Sequence, residues 1–257
     1  TLPTHRLMVR DEARTDAFRR AIEATIKPGD VVVDVGAGSG ILSLFAAKAG
    51  AARVYAVERS AAAQVAAQLV SANGFGSVIQ IVQADIRSIQ LGEKADVIVS
   101  EWMGSVGVDE NMLGPVLWAR DHFLKQGGTV IPAKVTAWMA PVRTAQRSDT
   151  LYFHNRPYGL DLSALSEPSV HELLMVRRRI RPEDLAAPAQ ALWISDASAD
   201  SAETVRKPYT ASLRFQARRS ARVNALAAWF TADLAGPVTL STAPDAPDTH
   251  WGQFLLP

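Results

Sequence analysis

The sequence predicts a two-part chain: a parallel α/β sheet over residues 1–132, then an antiparallel all-β unit over 133–257. Three observations carry this. Apolar, β-branched runs alternate with Ala-rich helical segments as far as Pro132. A glycine-bearing loop, "GAGSG", follows directly on the first run, "VVVDV". Beyond Pro132, strand-like runs succeed one another with few helical stretches between them.

The elements come in order. Residues 12–26, "EARTDAFRRAIEATI", place apolar groups at helical spacing and stop before Lys27-Pro28-Gly29-Asp30. "VVVDV" is the first strand and "ILSLFAAKAGA" the helix after it. "RVYAVE", "VIQIVQAD" and "ADVIVSEW" read as further strands, with the helix "SAAAQVAAQLVSAN" after the second. "NMLGPVLWARDHFL" reads as a helix and "GGTVIP" as a short strand. In the second unit, "KVTAWMAPV", "AQALWIS", "YTASLRFQA" and "ARVNALAAWFTADL" are strand-like, and residues 149–187 form an irregular insert.

Bulk properties narrow the function. A chain of 257 residues buries a full core without metals or disulfides. It has no cysteine, which removes thiolate metal sites and disulfides and fits a reducing compartment; a cytoplasmic location and no bound metal are the expectations. No apolar run approaches the ~18 residues of a membrane span. The charged start "TLPTHRLMVRDEAR" has no secretory apolar region, and the absence of an initiator Met leaves room for residues upstream. A net charge of +1 demands neither nucleic acid nor a membrane as partner. Arg177-Arg178-Arg179 and Arg218-Arg219 read as solvated faces.

Gly36, Gly38 and Gly40 allow backbone amides to approach a ligand closely. The dinucleotide fingerprint sets its third glycine one residue later than here. Asp34, just before the loop, adds negative charge and suits a cationic ligand. S-adenosylmethionine carries an amino group, a sulfonium and no phosphate, so it fits better than NAD. Glu58 ends the second strand, where a carboxylate accepts from both ribose hydroxyls. The adenine is expected at the turn after the third strand, near Asp85 and Ile86. Asp85 has two readings: a partner of the adenine amino group, or an ordinary turn aspartate. "SEWMGSVGVDENML" then puts Glu101 and Glu110 around a glycine-bearing loop, and such carboxylates are costly unless they face a cation.

With these residues in view, the chain resembles the protein arginine N-methyltransferase family. "HRLMVRDEART" is similar to the family's segment before the cofactor loop, "VVDVGAGSGILSLFAAKAGAARVYAVE" to its first motif, "SEWMG" with a second Glu and "ML" to its double-glutamate loop, and "STAPDAPDTHW" to the loop that closes its active site. The matches run from His5 to Trp251. The resemblance implies a Rossmann-like methyltransferase domain, then a β-barrel with an inserted dimerisation arm, here about 149–187, and a head-to-tail homodimer. It implies that Glu101 and Glu110 clamp the acceptor guanidinium, with Met103, His250 and Trp251 also at the substrate. His250 and Asp11 form a proton relay or orient Glu101. Arg14 binds the cofactor carboxylate, and His5, Met8 and Met112 line the same site. Asymmetric dimethylation is the branch most resembled.

The chemistry explains two carboxylates. A guanidinium is planar, stays protonated and pairs bidentately with carboxylates. It must meet a sulfonium, and two unit charges ~4 Å apart repel by about 4 kcal/mol at an effective dielectric of ~20. Two carboxylates offset that and fix which nitrogen faces the methyl group. The loop departs from the family at Ser105 and Asp109, where aromatics are usual, and Arg87 stands where a Glu often contacts adenine. The family's tyrosine-bearing lid helix has no counterpart among these residues, and its barrel runs on beyond the position of Pro257, so either further residues follow or the barrel is minimal; no acidic excess marks a binder of Arg/Gly-rich tails. Protein arginine is the expected acceptor. Free arginine or another small guanidine is the alternative within the enzyme class, and a cofactor-binding scaffold the alternative outside it.

Overall fold

The computed structural model describes residues 2–108, 111–143, 153–165, 174–176, 180–217 and 220–256. Glu110 and Asp109, both arginine clusters and much of the 149–187 insert lie outside those residues.

Two helices precede the sheet. α1 (Leu2–Arg10) is a helix where the sequence suggested only a charged lead-in. α2 (Glu12–Thr25) starts at Asp11, whose side chain accepts from the Arg14 N–H, an N-cap that satisfies one orphan donor of the first turn. α2 buries Arg14, Ala17, Phe18, Ala21 and Ile22, one face at helical spacing. It packs on α3 and against strands of the second sheet, so it ties the two halves together.

The first sheet is parallel, with strand order β3 (Ile79–Val82), β2 (Arg53–Val57), β1 (Val31–Val35), β4 (Ala95–Val99), β5 (Leu124–Ile131). β1 is buried at all five positions, which is why it reads as a continuous apolar run rather than an alternating one. The helices α3 (Ile41–Lys48), α4 (Ala62–Ala72) and α5 (Leu113–Phe123) make the crossovers. The order reverses between β1 and β4. The carboxyl ends of those two strands are therefore the place where such a sheet holds a ligand. The glycine loop leaves one of these ends and Glu101 the other.

The chain passes from the parallel to the antiparallel sheet between Ile131 and Lys134. The second sheet runs β7 (Leu174–Val176), β11 (Gln253–Leu256), β9 (Ala225–Ala235), β6 (Lys134–Val142), β8 (Gln190–Asp196), with β10 (Val238–Ser241) paired to β9. One apolar cluster spans both halves: Trp102, Met103 and Leu117 of the first pack with Val135, Phe230, Leu240 and Trp251 of the second. A site at this seam is therefore held by a common core.

The expected strand "YTASLRFQA" does not form. Residues 208–217 hold to β8 through side chains, Ser195 Oγ to the Tyr209 hydroxyl at 3.2 Å and Gln190 Nε2 to the Arg214 carbonyl. The side-chain alternation suited a strand, but no backbone ladder with a neighbour is made. Within the insert, Pro157–Gly159 and Ser163–Leu165 are single 3-10 turns. The insert is not irregular throughout: β7 within it pairs antiparallel with β11, and the Ala186 N–H donates to the Pro141 carbonyl at 2.8 Å.

Candidate active site

The glycine loop is built from left-handed backbone. Gly36, Gly38 and Gly40 have φ of 74°, 54° and 80°, a region costly to residues with a Cβ. A Cβ on Gly38 would meet the His5 ring at 2.8 Å, and one on Gly36 would meet Met112 Cε at 2.9 Å. His5 of α1 thus lies directly on the loop, and Met112 reaches it from the start of α5.

Glu58 is poised at the end of β2. Its Oε2 accepts the Gly38 N–H at 3.0 Å and its Oε1 the Ser60 N–H at 2.7 Å. Burial raises its pKa, but the Ser60 and Gly38 hydrogen bonds outweigh that and leave it lowered, so the group is a carboxylate at neutral pH. Ser60 was not foreseen; a Ser two residues past a strand-end Glu is the spacing at which its amide folds back onto the side chain.

Asp34 lies beneath the loop, fully buried. Ser43 Oγ of α3 donates to its Oδ2 at 2.6 Å, while Oδ1 has no partner among the described residues. Burial pushes its pKa up to about 7, against the pull of Ser43. This corrects the expectation of Asp34 as a direct ligand: the carboxyl faces the first turn of α3, and it acts on anything above only through the loop.

Glu101 stands just past β4. Ser100 fixes the strand end by donating from Oγ to the Val35 carbonyl at 2.6 Å. Arg14 donates to Glu101 Oε2 from Nε at 3.3 Å and from Nη2 at 3.1 Å, and the Met103 N–H donates to Oε1 at 3.1 Å. Both side chains of this ion pair are almost wholly buried, 4% and 7% exposed. Burial raises the Glu101 pKa, and the charge of Arg14 and its hydrogen bonds oppose the rise. Arg14 Nη1 also donates to the Met8 carbonyl of α1 at 3.4 Å. Within the chain, Arg14 pairs with Glu101.

Asp11 and His250 do meet. His250 donates its backbone N–H to Asp11 Oδ2 at 2.7 Å, and its Nδ1 lies 2.7 Å from the same oxygen. Asp11 Oδ1 takes the Arg14 N–H at 3.0 Å. Burial raises the Asp11 pKa, but the hydrogen bonds from His250 and Arg14 win and lower it. The result is a chain of contacts from His250 through Asp11 and Arg14 to Glu101.

Two expected contacts are corrected. Met103 is fully buried in the core with Trp102, so only its backbone N–H serves the site. Trp251 is buried with its ring edge-on to Phe230, 5.1 Å between centroids, and packs the His250 loop instead of offering a free face. Asp85 is paired with its neighbour: Arg87 Nε and Nη2 donate to it at 2.9 and 2.7 Å and the Arg87 N–H at 2.9 Å, and its side chain stays partly exposed. Ile86 beside it is buried. The Glu110 expectation falls outside the described residues. The loop from Glu101 leans on the antiparallel sheet instead: Gly107, at φ 99°, leaves no room for a Cβ, which would lie 2.9 Å from Val135.

A cavity of about 50 Å³ remains among His5, Met8, Arg14, Gly38 and Glu101, space for a water or two. The residues lining it, a left-handed glycine cradle and a buried Arg, together with Glu58 on the far side of the Gly38 amide, are of the types that hold an aminoacyl nucleoside. No group of His, Asp and Glu among the described residues has the makings of a metal site.

A five-stranded parallel sheet with this loop and this strand-end acid defines a nucleoside-dependent methyltransferase. A sequence model described as "Ribosomal protein L11 methyltransferase (PrmA)" matches residues 14–130, and one described as "Arginine methyltransferase oligomerization subdomain" matches residues 133–256. Protein arginine N-methyltransferase 6 of Xenopus laevis is 36% identical over 263 residues, covering 98% of this chain and 77% of that protein. Protein arginine N-methyltransferase 1.1 of Arabidopsis thaliana is 37% identical over 259 residues, covering 98% of this chain and 65% of that protein. The Trypanosoma brucei PRMT1 enzyme-prozyme heterotetrameric complex with AdoHcy superposes with a TM-score of 0.88 at 34% identity, over 98% of this chain and 81% of that chain. The chain belongs to the protein arginine N-methyltransferase family.

Proposed function

We propose that the chain transfers a methyl group from S-adenosylmethionine to a guanidino nitrogen of protein arginine. The observation that carries this is Glu101: a buried carboxylate at the switch point of the sheet, hydrogen-bonded to a guanidinium in the structure itself. The cofactor supplies a methyl group made electrophilic by its sulfonium. Glu58 is positioned to accept from ribose hydroxyls, Arg14 to pair with the aminoacyl carboxylate, and the glycine loop to let a ligand lie close to backbone. Glu101 draws the cationic acceptor toward the site and orients it for in-line displacement. Asp11 accepts from the His250 N–H and holds that imidazole beside the start of α2; the proton released on transfer passes to the Glu101 carboxylate or to water, because Arg14 stays protonated and cannot relay it.

Incubation with S-adenosylmethionine labelled in its methyl group, with an Arg/Gly-repeat peptide, a histone-like protein and free arginine as parallel acceptors, tests this. Label in peptide or protein is the expected result. Label in free arginine alone overturns the protein substrate and moves the acceptor to a small guanidine, the reading Ser105 favours by leaving the loop less aromatic. Label nowhere refutes the transfer itself.

The same proposal includes a homodimer and a cytoplasmic site of action. Tyr158, Leu160 and Leu165 of the insert are 86%, 59% and 55% exposed, and apolar groups so placed favour a second surface. A groove of about 770 Å³ along α2, lined among others by Ala13, Ala17, Phe45 and Leu240, is wide enough to receive them from a second copy. Tyr158→Asp should shift the chain toward monomer in sedimentation. An unchanged sedimentation coefficient for that variant would count against this dimer. No helix among the described residues is long and apolar enough to cross a membrane, and tagged protein in fractionated cells checks the location.

A further inference from the structure

We propose that a second site, separate from the methyl-transfer cavity, takes a mononucleotide: the base stacks on the Trp118–His122 pair of α5 and the phosphate meets Lys94.

The site is a groove of about 510 Å³ between the C-terminal half of α5 and residues 87–94, on the run that joins β3 to β4. Small-molecule sites span about 300–1,000 Å³. The groove shares no lining residue with the cavity beside Glu101. Ile89, Leu91 and Phe123 give it apolar surface. Trp118 and His122 lie one helical turn apart, and their rings stack with 4.0 Å between centroids and 12° between planes. Two further contacts fix this pair. His122 Nδ1 lies 2.8 Å from the Trp118 carbonyl, and Phe123 meets the indole edge-on at 5.3 Å. The His122 side chain is nonetheless exposed, and no described residue bonds its Nε2. A planar ring that extends the stack meets a platform already ordered, so little side-chain freedom is lost on binding.

The charges select an anionic ring. Lys94 Nζ donates to the His122 carbonyl at 2.6 Å, which sets the ammonium beside the platform. No carboxylate among the described residues pairs with it. Glu93, which also lines the groove, is committed to β2: it accepts from the Tyr55 hydroxyl at 3.0 Å and lies 3.4 Å from Arg53 Nε. Arg87, at the other end of the run, commits Nε and Nη2 to Asp85, and its Nη1 has no partner among the described residues. An uncharged ring leaves Lys94 unused, and a cationic ring is repelled by it. A mononucleotide supplies both the flat ring and an anion that an ammonium holds as a point charge.

Calorimetry on the intact chain tests this, with AMP, adenosine and inorganic phosphate as separate titrants. Each is run with and without saturating S-adenosylhomocysteine, which occupies the methyl-transfer cavity. AMP should bind at least about tenfold tighter than either fragment, with the same affinity in both conditions. His122→Ala and Lys94→Gln, both at exposed positions, should each weaken AMP at least about fivefold and leave S-adenosylhomocysteine affinity unchanged. AMP affinity equal in parent and variants overturns the site. Loss of AMP binding in S-adenosylhomocysteine also overturns it, because the nucleotide then sits in the methyl-transfer cavity. Adenosine or phosphate binding as tightly as AMP overturns the pairing of ring and anion. A single-stranded oligonucleotide that binds where AMP does not overturns the mononucleotide in favour of nucleic acid.

Discussion

Replacing Asp34 by Asn should remove one large contribution to the pH dependence of stability. In the folded chain the Asp34 carboxyl has a pKa raised from 3.8 to about 7, chiefly by burial. Between those values the unfolded chain has released the proton and the folded chain has kept it. Stability is thus lost as pH rises, at about 1.4 kcal/mol per unit, and the loss levels off above pH ~7. A gap of about 3 units makes the total about 4 kcal/mol. The amide variant carries no such charge. It still accepts the Ser43 hydroxyl, yet it leaves a buried N–H₂ where Oδ1 already lacked a partner, at a constant cost of about 1–3 kcal/mol. Asp34→Asn should therefore be less stable than the parent near pH 4 and more stable near pH 8. The difference between the two chains should swing by about 4 kcal/mol across that range. Urea unfolding of both, followed by tryptophan fluorescence at unit steps of pH, reads the swing directly, and the constant cost cancels. A difference that stays flat within about 1 kcal/mol refutes the assignment of a neutral carboxyl under the loop.

Glu101→Gln should abolish methyl transfer and leave Arg14 buried without its counter-charge, for about 3–5 kcal/mol of destabilisation; single-turnover assays and thermal unfolding check the two effects, and retained turnover would remove Glu101 from the chemistry. Asp11→Ala should lose an N-cap worth about 1 kcal/mol and free His250. Because the Asp11 pKa is depressed when folded, its contribution exists above the ordinary carboxylate range and fades as pH falls through the folded value, so parent and variant should converge in stability in acid. Gly38→Ala places a methyl group against the His5 ring at a φ of 54°. It should cost about 1–2 kcal/mol of stability and weaken S-adenosylhomocysteine binding in calorimetry; a neutral outcome would show that α1 gives way freely.

The parallel half was legible because its signals are local. "VVVDVGAGSG" states a strand, a turn and a helix start within ten residues, and Glu58 follows at the next strand end. The strand-end Glu101 stands out in the sequence as a carboxylate in need of a cation, but nothing local links it to Arg14, 87 positions away. An Asp two residues before an Arg invites the local pair that the structure has at Asp85 and Arg87, and that much is legible in the spacing. Met103 was misplaced because the chain after "SEW" turns inward to the shared core, a tertiary choice its sequence neighbours do not announce. "YTASLRFQA" shows the same limit from the other side: alternation describes a surface suited to a sheet, but the ladder depends on an available edge.

The contact between His250 and Asp11 spans 239 positions. At about 5–20 residues per second of synthesis, roughly 12–50 s separate the appearance of the two partners. For that interval the first turn of α2 has its cap but lacks its imidazole, and the line of contacts that ends at Glu101 has no beginning. The pair can close only after every residue between its two partners has been made.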